Sequence, residues 1–302
     1  MENKPNISLC KHDIKNPHGT LGMTDLLTYL EQSGLFEVNY HNDRMGTGKG
    51  ERGTIIHYNN KKIYLDFWDY AMPTFTMPVL NANFDLIIKL QYSGVSFDHF
   101  MATCKSKNMF ANMPIDQMQK FYSKIVPWTF FCSRMMKQYI GKPIEKVPLE
   151  RLGFFCGKGW KCRRWLLKKL EESGIEVARS DQETLRLPLT DDEYIHKMKS
   201  SKYGLCIHGR GSAFSEAKNR REIDYMILEK PLLLNYRPHY YNPLVEGKHY
   251  IYFDEKIDLK NIENLYNIEE IAKNGREWYL NNATPNAAAK VFKQIMEEKV
   301  GS

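Results

Sequence analysis

Two adjacent arginines and two carboxylates, Arg220, Arg221, Glu222 and Asp224, follow a glycine turn, Gly209-Arg210-Gly211-Ser212. Each residue type has its own chemistry. A guanidinium grips phosphate oxygens with two parallel N–H donors. Successive backbone N–H groups in a glycine turn can wrap the same oxygens. A carboxylate, Glu222 or Asp224, can accept from both hydroxyls of a ribose. A ligand with phosphates and sugar hydroxyls together satisfies the set, and a nucleotide sugar has both. The bland alternatives are a solvated helix with charges paired three residues apart and an ordinary turn that glycine permits. A lone G-x-G is a weak signal, and Gly157-Lys158-Gly159 has the same standing, with Lys158 as a point charge for a phosphate.

These residues need a frame. Tyr203 to Ile207 reads as a buried strand, the arginines sit on a helix, and Pro231 to Leu234 reads as the next strand. Strand, glycine turn, helix, strand sets N–H and guanidinium groups at the carboxyl end of a parallel sheet, where open α/β sheets bind anions. Tyr236, Arg237 and His239 follow the last strand and are further candidates, against the alternative of a loop tethered by Pro238 and Pro243.

Alternation of strand and helix extends along the chain. The spacing predicts a strand at Ile7 to Cys10, a helix over Thr24 to Ser33, a strand at Phe36 to Tyr40, and a hairpin from Thr54 to Phe67 turning at Asn59-Asn60. Further strands are expected at Phe84 to Tyr92 and Pro127 to Cys132, and Lys142 to Pro148 reads as a linker. Then come a strand at Arg151 to Cys156, a helix over Cys162 to Ser173 and a strand at Ile175 to Ala178. A helix over Thr190 to Ser200 carries an acidic first turn. A strand at His249 to Phe253 and helices over Ile268 to Tyr279 and Pro285 to Glu298 close the chain. The fold class is α/β, with two Rossmann-like parallel-sheet domains facing a cleft. The expected divisions are a first domain over 1–145, a second over 146–270 and C-terminal helices over 271–302; a family resemblance of the second half implies that the first is the acceptor side, that the second takes the nucleotide sugar, and that the last helix crosses back to the first domain.

Composition narrows the class. At 302 residues, 42% hydrophobic and 26% charged, the chain is an ordinary globular protein. A net charge of +7 suits a polyanionic ligand or a merely basic surface. A nucleic-acid partner ranks last, because no aromatic-basic stripe accompanies the charge. Six cysteines show neither C-x-x-C nor paired zinc spacing, and several lie in apolar strands, which implies a reducing compartment. No h-region of a signal peptide and no run near the ~20 apolar residues of a membrane span is found. The expectation is a soluble cytoplasmic protein. Gly46-Thr-Gly-Lys-Gly50 is not a P-loop, since Lys49 precedes Gly50 instead of Ser or Thr.

The second half resembles the donor-binding domain of GT-B glycosyltransferases, most of all the exostosin-type group. The similarity rests on Arg151-Leu-Gly-Phe-Phe-Cys-Gly157 followed by Arg163 and Arg164. It continues with Lys202-Tyr-Gly-Leu-Cys206, the Gly209 to Ser215 turn, Arg221, Asp224 and Pro231-Leu-Leu-Leu234. Glu229-Lys230 departs from the Gly-Cys of that group, and the interval to Pro231 is one residue short, so Arg220 or Arg221 matches its arginine. The resemblance covers roughly residues 150 to 285 and extends to small soluble enzymes of large algal viruses and bacteria, which makes a virus-encoded enzyme in a host cytoplasm one expectation. It implies transfer of a sugar from a nucleoside diphosphate sugar, UDP-sugars favoured and UDP-xylose among them, to a glycan or glycoprotein hydroxyl. The alternative is a non-catalytic nucleotide- or glycan-binding module on the same fold. The chain lacks a D-x-D sequence, which agrees with metal-independent chemistry in which positive side chains and helix ends carry the leaving diphosphate; no cofactor is expected. An inverting reaction needs a base within hydrogen-bond reach of the acceptor hydroxyl. Asp69 leads, with His18 and Asp66 as rivals, and Trp68 offers a ring for an acceptor sugar.

Overall fold

The structure is a computed structural model, and it describes residues 4–11, 23–42, 53–66, 83–89, 96–98, 100–101, 114–128, 134–157, 164–179, 189–207, 220–254, 258 and 261–301. By the density of its internal contacts the chain divides into two units, Met1–Thr129 with Thr284–Ser302, and Phe130–Ala283. Each holds one sheet, and the whole is mixed α/β.

The first unit carries six strands: β1 Asn6–Cys10, β2 Glu37–His41, β3 Gly53–Tyr58, β4 Lys61–Asp66, β5 Leu86–Lys89 and β6 Ile125–Pro127. Their order is β2-β1-β3-β4-β5-β6. β3 runs against both of its neighbours, and the other pairs are parallel, so β3 alone opposes the common direction. The cause is local. Asn59 and Asn60 take φ of 44° and 66°, the left-handed pair that a two-residue hairpin turn needs. The chain therefore folds straight back from β3 into β4, and the expected hairpin becomes the centre of the sheet. Strand β6 lies slightly earlier than the sequence pattern predicts, at Ile125–Pro127. Helix α1, Met23–Gln32, buries Leu26, Leu27 and Leu30. Helix α2, Ile115–Ser123, lies in a stretch whose pattern is not legible in the sequence.

The second unit is regular. It opens with a 3-10 helix, Arg134–Tyr139, and its described strands are β7 Arg151–Gly157, β8 Ile175–Arg179, β9 Ser201–Cys206, β10 Leu232–Leu234 and β11 Ile251–Tyr252. All pairs are parallel, in the order β11-β10-β9-β7-β8. Between them lie α3 Arg164–Glu172, α4 Asp191–Lys199 and α5 Arg220–Ile227; α6 Ile262–Leu265 and α7 Ile268–Asn282 follow, and α8 Pro285–Lys299 belongs to the first unit. Period-two alternation sorts the two faces of the sheet. Phe155, Tyr203 and Leu205 pack with Leu166, Leu167 and Leu170 of α3. On the opposite face the Phe154 ring meets Tyr194 of α4 edge-on at 5.8 Å. Tyr225 of α5 donates to the Phe154 carbonyl at 2.6 Å. Thr190 and Glu193 form a reciprocal capping box that starts α4 where its acidic first turn predicts.

Candidate functional site

In the second unit the chain leaves β7 for β8 on one side, then crosses to β9 on the other. The strand order therefore reverses between β7 and β9, and a doubly wound sheet opens its ligand crevice at the carboxyl ends of such a pair. Gly157 ends β7 there, opposite Arg179 of β8. Cys206 ends β9 and lies opposite Leu234 of β10. Helix α5, the next element described after β9, starts at Arg220 and brings Arg221 over this edge.

Arg221 is half-buried. Its guanidinium carbon stands 5.3 Å from the centre of the Phe155 ring. It also lies within electrostatic reach of Cys156, Cys206, Tyr194 and Tyr225, all of which are neutral groups in their ordinary protonation states. Burial pushes the Cys156 thiol and the Tyr194 hydroxyl upward, and the Arg221 charge opposes both shifts. The result is a cation at the switch point with aromatic rings, thiols and phenols among its neighbours.

The two carboxylates of the motif lie elsewhere. Glu222 is fully buried, and its two oxygens accept from Tyr236 and, at 2.5 Å, from Tyr240. Burial first, and the Glu222 charge second, raise both phenols well above their usual range, so they stay protonated and donate. Asp224 is 2% exposed. Sequence reading gives Glu222 or Asp224 a ribose role and Tyr236 a ligand contact; in the fold the Glu222 carboxylate and the two phenols bond to one another, and the cluster fastens the chain after β10 to α5. Of the charged run, Arg221 is partly exposed, while Glu222 and Asp224 are turned into the core. Farther along the same edge, the Arg237 guanidinium stacks 4.1 Å from the Tyr252 ring and pairs with Glu246 at 3.2 Å.

Of the remaining sequence candidates, Lys158, the Gly209 to Ser212 turn, Asp69, His18, Trp68 and His239 divide between the two cases. His239 follows β10 inside the described chain, whereas the others lie outside the described residues, as does the side chain of Arg220. Asp66 ends β4 in the first unit. It is 3% exposed and paired at 2.7 Å with Lys89, which ends the neighbouring strand β5 and is fully buried. Lys89 was legible: a lysine inside the apolar run FDLIIKLQY needs a partner when it is buried. Tyr240 was not, because nothing in the sequence says that the two tyrosines close on one carboxylate. Among the described residues no cluster of three or more His, Cys, Asp or Glu could hold a metal ion, and no helix is long and apolar enough to cross a membrane. No protein-family model matches the chain, and no curated protein matches it in sequence.

Proposed function

We propose that this chain is a metal-independent glycosyltransferase of the GT-B kind. It takes a sugar from a nucleoside diphosphate sugar, with UDP-sugars first, and delivers it to a hydroxyl of a glycan or glycoprotein. The observation that carries the reading is Arg221, half-buried above the carboxyl ends of β7 and β9 at the strand-order reversal of an all-parallel sheet. In this reading the second unit takes the nucleotide and the first unit supplies the acceptor side. Arg221, with Arg220 and the N–H groups of the Gly209 to Ser212 turn, neutralises the diphosphate as it leaves. A cation held in such surroundings is worth more than the same charge in water. Glu222, Tyr236 and Tyr240 keep α5 in place so that the guanidinium does not have to be reoriented during the reaction. Asp69 is the leading base, with His18 and Asp66 behind it; the Asp66 carboxylate already faces Lys89.

The test is a thermal-shift panel of UDP, GDP, CDP and their common sugars, with EDTA present, on the unaltered chain and on Arg221→Ala. A nucleotide at about 100 times its Kd adds about 2.7 kcal/mol of stability and raises Tm by several degrees. One nucleoside diphosphate is expected to shift the unaltered chain and to leave Arg221→Ala unmoved. No shift with any nucleotide, or the same shift in the variant, would remove the basis of the proposal. Release of free nucleoside diphosphate on adding glycan acceptors distinguishes an enzyme from a binding module.

A further inference from the structure

Beneath Arg221 the same sheet edge carries two cysteines. Strands β7 and β9 are parallel neighbours, and their register runs through Gly153 opposite Tyr203 and Phe154 opposite Gly204. Two residues further along each strand stand Cys156 and Cys206, and residues in register on adjacent strands face the same side of a sheet. That side is the one where Phe154 meets Tyr194 and where the face of Gly204 meets the Tyr225 ring. Tyr194 in turn lies within electrostatic reach of both thiols and of Arg221. Neither cysteine is in a disulfide, and they are 1% and 0% exposed.

We propose that Cys156 and Cys206 form a redox-active dithiol, a cross-strand pair that closes to a disulfide under a peroxide and reopens under a thiol reductant. Neighbouring strands lie about 4.8 Å apart, inside the roughly 4.4–6.8 Å window of Cα separations that a disulfide spans. Burial raises the Cys156 thiol, and the Arg221 guanidinium opposes that rise. In the first step a cysteine sulfur attacks hydrogen peroxide, the O–O bond breaks, and a sulfenic acid and one water result. In the second the other thiol attacks that sulfur, forms the S–S bond and releases a second water. Two thiols and one peroxide thus become one disulfide and two waters. Burial makes local opening of the strand ends the slow step.

The experiment uses the full chain, treated with hydrogen peroxide, alkylated, digested with trypsin without reductant and mapped by mass spectrometry. The Cys156 peptide, Leu152 to Lys158, is expected to be joined to the Cys206 peptide, Tyr203 to Arg210, and the pair to separate after dithiothreitol. Cys156→Ser and Cys206→Ser are each expected to abolish that species. A link from Cys156 to Cys162, or both thiols remaining open to alkylation after unfolding of the peroxide-treated chain, would overturn the inference. Phenylarsine oxide supplies a readout without substitution. It condenses with two adjacent thiols and releases water, so Cys156 and Cys206 are expected to become protected from alkylation together; protection of one alone would count against the pair. Neither measurement involves a nucleotide, so a failure here leaves the proposed transferase untouched, and the reverse.

Discussion

At the scale of single residues, a buried ion pair and a partly buried lysine set measurable stability terms. Lys89 and Asp66 neutralise one another in the first unit, both out of contact with water. Removing one member takes a buried counter-charge from the other, which costs about 3–5 kcal/mol. Lys89→Met is expected to lower unfolding stability by that amount in urea. Asp66→Leu with Lys89→Met is expected to recover most of it, because an apolar pair of similar volume needs no solvation. Lys230 is a charge of the opposite kind. Burial first, then the neighbouring Lys199, pushes its pKa from 10.5 down to about 8. Below pH 8 both the folded and the unfolded chain hold this proton, and the buried charge destabilises the fold. Between about pH 8 and 10.5 the folded chain has released a proton that the unfolded chain still binds, so stability rises with pH across that window. Lys230→Met is therefore expected to stabilise the protein at pH 7, and the advantage to shrink as the pH climbs to 10.5, in urea titrations at fixed ionic strength.

The element that matters most is α5. It presents Arg221 at the switch point, and it is held by two internal contacts: the Glu222 cluster with Tyr236 and Tyr240, and the packing of Tyr225 on β9. Tyr236→Phe and Tyr240→Phe each leave a buried carboxylate oxygen without its donor, and each is expected to cost about 1–3 kcal/mol. Gly204 is required by a close approach. A Cβ at that position would stand 2.4 Å from Cγ of Tyr225 and 2.8 Å from its Cβ. Both distances involve the base of a ring that cannot swing away, because its hydroxyl is bonded to the Phe154 carbonyl. Gly204→Ala is expected to lower the urea midpoint by an amount equivalent to about 1–3 kcal/mol. It is also expected to weaken nucleotide binding by displacing α5, and wild-type affinity in that variant would detach the helix position from the site.

Across the whole molecule, sequence order and spatial membership part company at the C-terminus. Helix α8 is the last element of the chain, yet it belongs to the first unit. Its Phe292 is fully buried and meets Phe36 and Trp128 edge-on, each with ring centres 6.0 Å apart. Ala288, Ala289, Ile295 and Met296 are buried beside it. Phe292→Ala is expected to destabilise the first unit by about 3–5 kcal/mol, with faster amide exchange in β1 and α1 than in β7 and β9 as the measurement. Equal acceleration in both units would mean that the two unfold together.

Periodicity and turn chemistry made most elements legible in advance. Asn59-Asn60 announced its hairpin, Thr190 with Glu193 announced a helix start, apolar runs ending near glycine announced β7 and β9, and an apolar run between Pro231 and Asn235 announced β10. These signals are local: they depend on φ preferences, hydrogen bonds within a few residues and the side on which apolar groups repeat. The arginine on α5 was legible for the same reason, since its place between the apolar runs of β9 and β10 is a property of the chain. What the sequence could not determine was partnership across distance. The reversal of strand order between β7 and β9, the insertion of β3 between β1 and β4, the turning of Glu222 onto two tyrosines and the meeting of Asp66 with Lys89 all depend on which strands pair and in what register. Pairing is decided by burial of whole faces at once, and no single stretch of residues carries that information.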